Sequence, residues 1–130
     1  MKKEKYCLEY VFEKASKSNL WTRIATSTGL SEWFADEVND EEDGKLYTFT
    51  WNKYPSQAEV IGFNQNNYIR FRWLEEENEN NFFEFRLHTN ELTGGLVLEV
   101  TDFAEPHEKE DSMALWDTQI TTLRRLLGLL

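Results

Sequence analysis

Between Asp111 and Leu130 apolar residues recur at spacings of three and four: Met113, Trp116, Ile120, Leu123, Leu127 and Leu130. A helix places all of them on one face. Glu108, Glu110 and Asp111 crowd its expected start, where the helix dipole favours anions, and Arg124 and Arg125 fall in its last turns, where it favours cations. Asp111 or Ser112 is expected to cap the helix, and Gly128 to mark its end. An amphipathic helix of this kind needs an apolar partner surface.

Most of the remaining chain alternates with period two, the spacing of a half-buried strand. Tyr6, Leu8, Tyr10 and Phe12 share one side of a first strand. Two short helical stretches follow. Ser16 or Ser18 caps the first, which carries Leu20, Trp21, Ile24 and Ala25, with Gly29 placed to end it in a left-handed turn; Leu30, Trp33 and Phe34 mark the second. The acidic run from Asp36 to Gly44 reads as a loop with room for one short edge strand. Tyr47, Phe49 and Trp51 then share a face. Ala58, Val60 and Gly62 oppose Glu59, Ile61 and Phe63 after a turn at Asn52 to Pro55. Ile69, Phe71 and Trp73 oppose Tyr68, Arg70 and Arg72, and Phe83, Phe85 and Leu87 oppose Glu84, Arg86 and His88, so that Arg70 and Arg72 can meet Glu84 on the wet face. Leu96, Leu98 and Val100 close the series. The expected fold class is α+β: a curved antiparallel β-sheet wrapped around a long C-terminal α-helix, with two short helices after the first strand, as one domain over residues 1–130.

Composition sharpens this picture. The chain has nine Phe, five Tyr and five Trp in 130 residues, and the period-two pattern concentrates these rings on one sheet face. A net charge of −10 disfavours nucleic acid and anionic membranes as partners, because phosphate contacts require Lys or Arg. Cys7 is the single cysteine, which rules out an internal disulfide and fits a cytoplasmic setting. No stretch has the length and apolarity of a membrane span.

Candidate chemistry is sparse. His88 falls on a wet strand face and His107 in an acidic linker; a zinc site of ordinary spacing would have to borrow carboxylates. The run Asn39 to Gly44 places oxygen ligands before a glycine, but the closing acid of a calcium loop would fall at Thr50. No catalytic group, metal or cofactor is expected. The aromatic face admits two readings, a packed core or the wall of a pocket.

Leu20-Trp21 with Ile24-Ala25-Thr26, the run Gly29 to Asp36, Tyr47 to Trp51, Arg70 to Glu75, and Trp116 with Leu123 resemble the START-like helix-grip superfamily. Within it, they resemble homologues of the activator of the heat-shock protein 90 ATPase. The resemblance covers essentially the whole chain and implies a hydrophobic cavity between the sheet and the long helix. Relatives bind lipids, sterols, polyketides or hormones, cyclise polyketides, or engage a chaperone, and fold alone does not choose among these. The reading adopted is a non-enzymatic domain that holds a small apolar ligand. Its expected cavity lining is Tyr47, Phe49, Trp51, Phe71, Trp73, Phe83, Phe85, Leu87, Trp116, Gln119, Ile120 and Leu123, with Gln119 and Thr122 as possible orienting groups. The alternative is a co-chaperone-like protein-interaction module, and a polyketide-cyclase-like enzyme stands third.

Overall fold

The computed structural model describes residues 2–129. Its elements follow the order β1 (Glu4–Phe12), α1 (Lys17–Ala25), α2 (Ser27–Leu30), β2 (Glu37–Glu41), β3 (Leu46–Trp51), β4 (Tyr54–Asn64), β5 (Tyr68–Trp73), β6 (Phe83–Thr89), β7 (Leu96–Ala104) and α3 (Lys109–Leu126). The strands form one antiparallel sheet in the order β1-β7-β6-β5-β4-β3-β2. The acidic run therefore contributes an edge strand, β2, held by the burial of Val38 and followed by a turn in which Glu42, Asp43 and Gly44 all take positive φ.

Period-two alternation holds along β1, β3, β5 and β6, whose inward residues Tyr6, Phe12, Tyr47, Phe49, Ile69, Phe71, Phe83, Phe85 and Leu87 are all buried. The hairpin between β3 and β4 is tight, with Trp51 paired to Tyr54 and both Asn52 and Lys53 at positive φ, the backbone that matches strand twist.

The expected alternation fails in β4. A bulge between Val60 and Gly62 inserts one residue, so Ala58 and Val60 point inward but Gly62 pairs with Arg70 and Phe63 with Ile69. Phe63 thereby returns to the core side, where its ring meets Trp21 of α1 at 5.9 Å. Gly62 faces outward beneath the Tyr68 ring, where an added Cβ would lie 3.1 Å from it.

The wet face also differs from expectation. Glu84 is only 4% exposed, held by Arg70 at 2.9 Å and Arg86 at 3.1 Å, whose guanidinium groups lie over the Phe82 and Tyr68 rings. Arg72 does not join them; it reaches Glu59 at 3.5 Å and the carbonyl of Glu76 at 3.0 Å.

The helical corrections concern where helices begin and end: α2 ends at Leu30, so Trp33 and Phe34, expected in it, lie in the turn beyond. Ser16 caps α1 as expected, accepting from the Asn19 N–H at 3.1 Å. Gly29, however, lies inside α2 and not at the end of α1. A Cβ there would sit 2.1 Å from the Thr22 carbonyl oxygen, so glycine is required by the close approach of the two helices. The long helix starts at Lys109, two residues before the expected point, with Glu108 at the cap position and no side-chain cap bond. Its other end matches the reading of Gly128, which takes φ +72 while its N–H donates to Arg125 and that of Leu129 to Arg124, the paired bonds of a glycine-terminated helix. Trp116, Ile120 and Leu123 are buried and Met113 and Leu127 partly so, while Leu130 lies outside the described residues.

Trp116 is 5% exposed and packs on Phe34 and Phe85. Trp116→Ala is expected to cost about 3 to 5 kcal/mol, measured as a lower urea midpoint; an unchanged midpoint would refute the packing described. Gly29→Ala should cost at least about 1 to 3 kcal/mol, because the clash is with backbone and no flexible side chain can give way.

Candidate functional site

Phe34 enters the core from the turn after α2, where its N–H donates to the Leu30 carbonyl at 2.9 Å. Its ring stacks on Trp116 at 5.6 Å and meets Phe49, Trp51, Phe83 and Phe85 at 5.2 to 5.9 Å. Its carbonyl accepts from Trp51 Nε1 and Gln119 Nε2, each at 2.9 Å. One residue thus ties β3 to α3. On the solvent side of this knot lie Trp51, Trp73, Phe83 and Asp102, from the ends of β3, β5 and β6 and from late in β7, beside α3. A cleft of about 360 Å³ opens there, lined by Phe34, Trp51, Trp73, Phe83, Asp102, Ser112, Leu115, Trp116 and Gln119.

The walls are apolar and one end is not. Asp102 continues the inward series Leu96, Leu98, Val100 by one more step of two, which carries a carboxylate to the core side of β7. It accepts from the Phe103 N–H at 2.8 Å, from Trp116 Nε1 at 2.9 Å and from the Tyr6 hydroxyl at 3.5 Å; Tyr6 also hydrogen-bonds Ser112. Burial holds the Asp102 carboxyl above its ordinary pKa, against the lowering effects of the Phe103 N–H, the Trp116 N–H and the charge of Lys3. Burial likewise pushes the Tyr6 hydroxyl up to about 12, despite its bond to Ser112. Tyr10, which donates to Asp117 at 2.6 Å, is raised by burial and by that carboxylate. Tyr47 is raised to about 12 by burial, with a smaller push from Asp40.

The fold has known counterparts. Residues 1–129 match the family model for the START-like superfamily domain. The chain belongs to the START-like superfamily. The domain is 47% identical to BfR322 from Bacteroides fragilis, whose solution structure superposes with a TM-score of 0.67 over 97% of this chain and 92% of that one. Two more distant structures share the fold. The Aha1 dimer from Colwellia psychrerythraea is 15% identical, with a TM-score of 0.76 over 95% of this chain and 96% of that one. CalU16 from Micromonospora echinospora is 13% identical, with a TM-score of 0.74 over 96% and 76%. No curated protein matches the START-like chain significantly.

The START-like domain divides the expected lining residues between two places. Trp51, Trp73, Phe83, Trp116 and Gln119 border the cleft. Tyr47, Phe49, Phe71, Phe85, Leu87, Ile120 and Leu123 are buried deeper in the sheet-helix interior, where rings such as Phe49 and Phe71 pack at 5.7 Å. Thr122 turns back on its own helix, donating to the Thr118 carbonyl at 3.4 Å. Phe34, Asp102, Ser112 and Leu115 were not anticipated at the site. Asp102 was legible from strand parity alone, whereas Ser112 and Leu115 depend on how the helix is rotated against the sheet. Away from the cleft, His88 Nε2 lies 3.6 Å from Glu99 and 3.8 Å from Glu9 on the outer face, and His107 Nε2 lies 3.3 Å from Glu108 and 3.5 Å from Glu105. Cys7 is exposed on β1, and no described helix is long and apolar enough to cross a membrane.

The raised tyrosines fix a pH dependence. Below the ordinary tyrosine pKa of 10.0 they are protonated in both states, and their protonated form contributes its full stability. Between 10.0 and about 12 the unfolded chain releases protons that the folded chain keeps, so stability must fall as pH rises. Urea midpoints are expected to decline steadily above pH 10; a midpoint flat across that window would show that these hydroxyls are not buried as described.

Proposed function

We propose that this START-like domain binds a small apolar molecule, without turning it over, in the cleft between the sheet ends and α3. One observation supports this above others: the cleft of about 360 Å³ has walls of Trp51, Trp73, Trp116, Phe34 and Phe83 and a polar end formed by Asp102, Ser112 and Gln119. Small-molecule sites typically have volumes of roughly 300 to 1,000 Å³ and this same mixture of apolar walls and few converging polar groups. The deeper rings pack against one another, so between the sheet and α3 the space for a guest lies at this cleft and not in the interior. Among the described residues that line it, Asp102 is the only ionisable one, and Tyr6 behind it has its hydroxyl held protonated by burial, so no pair of groups poised to exchange protons near neutral pH borders the guest. Likeness to the Aha1 structure at 15% identity concerns the fold, and the interaction-module reading rests on the sequence resemblance together with that shared fold.

The five tryptophans supply the test, since Trp51, Trp73 and Trp116 border the cleft while Trp21 packs against Phe63 on α1. Titration with naphthalen-1-ylmethanol, followed through the indole N–H resonances, is expected to shift the three cleft signals and leave Trp21 in place. Ser112→Phe adds a ring at the cleft wall and should remove the response while the fold, followed by circular dichroism, persists. Absence of any shift at millimolar probe would reject ligand binding here and bring the interaction module forward.

A further inference from the structure

The polar end of the cleft carries more information than its apolar walls. An ionised carboxylate offers about four acceptor positions. Asp102 receives two short donors, from Phe103 at 2.8 Å and Trp116 at 2.9 Å. Its third partner, the Tyr6 hydroxyl, stands at the 3.5 Å limit and also bonds Ser112. Acceptor capacity therefore remains on a side chain that forms part of the cleft wall.

Its charge is also left without a direct counter-ion. No ion pair among the described residues involves Asp102, and Lys3, whose charge is felt there, is held by Glu76 at 2.7 Å. Among the described residues that line the cleft there is no Lys, Arg or His, so a ligand carboxylate or phosphate would meet a like charge with only Lys3, already held by Glu76, to offset it. A cation meets the opposite situation. Three indoles border the cleft, and although Phe83 and Phe34 are covered by stacked neighbours, an indole face left open to the cleft attracts cations more strongly than any other ring. The chain's net charge of −10 favours the approach of a cation from solvent. Burial that raises the Asp102 carboxyl is the cost that a bound cation would offset.

We infer that the guest of this cleft is a small organic cation, a protonated amine carried on an apolar body, with Asp102 as the group that receives its N–H donors. This rests on the cleft being a binding site, and it adds a sign to the ligand's charge. A charge-assisted bond to a partly buried carboxylate is the stronger kind of hydrogen bond, and it selects an amine over an isosteric alcohol. Gln119, already donating to Phe34, and Ser112, already paired with Tyr6, are left to border the guest without choosing its charge.

Three probes with one aromatic body separate the two levels of the reading: naphthalen-1-ylmethylamine, naphthalen-1-ylmethanol and 1-naphthoic acid, titrated at pH 7 and about 0.15 M salt to screen long-range attraction. Calorimetry gives the affinities, and the indole signals of Trp51, Trp73 and Trp116 locate the binding. The amine is expected to bind at least about tenfold tighter than the alcohol, with the acid weakest. In Asp102→Asn the advantage of amine over alcohol should shrink to about onefold. Equal affinity for amine and alcohol, or a preference for the acid, would overturn this inference and leave the cleft intact as an apolar site. Binding of none of the three would instead remove the cleft reading, and the inference with it. The ranking on the unmodified protein decides the matter even where Asp102→Asn, by disturbing the bonds to Trp116 and Phe103, lowers the yield of folded protein.

Discussion

The structure depends on one residue held in place from both sides. Phe34 sits where the α2 turn, the sheet and α3 converge, with its ring among six others and its carbonyl bound by an indole from β3 and an amide from α3. A buried carbonyl left without a donor would cost about 1 to 3 kcal/mol, so Trp51 and Gln119 are constrained to face it. That constraint sets the rotation of α3 about its own axis. It also determines which helix residues meet the sheet and which border open space.

From this knot the interior divides into a packed part and an open part. Towards β4 the rings of Tyr47, Phe49 and Phe71 approach one another at 5.1 to 5.8 Å and leave no surface exposed. Near the carboxyl end of β7 the same kind of side chain lines a cleft beside α3. Asp102 and Ser112 stand there in place of a ring, and the space between sheet and helix is not filled.

Polar groups mark where the cleft begins. Asp102, Tyr6, Ser112 and Trp116 form a connected network between β7, β1 and α3, and buried polar groups of this kind persist only when their partners are close. The opposite face of the sheet contains its own case in Glu84, which two arginines and the rings beneath them shield from water. Removing either arginine would leave a carboxylate desolvated without its full counter-charge, so this wet face is more tightly built than an ordinary surface ladder.

Sequence periodicity by itself determined the architecture. Period two along β1, β3, β5 and β6, and spacings of three and four along α3, each reported which side of an element is apolar, and burial follows that side because the hydrophobic effect depends on area and not on partners; in β7 it does not, since Val97 and Thr101 on the outer side are buried as well. The same parity, carried one step beyond Leu96, Leu98 and Val100, would have placed Asp102 inward, but the expected series closed at Val100. What tertiary structure alone decided was everything that depends on two elements meeting. The bulge in β4 reversed the faces of Gly62 and Phe63, because one inserted residue is invisible to a period-two pattern until the neighbouring strand is in register. Gly29 is required by the Thr22 carbonyl of another helix, and not by the backbone of its own turn. The expected lining separated into core and cleft for the same reason: whether an inward aromatic touches another ring or open space depends on the distance between two layers, and no single strand or helix encodes that distance.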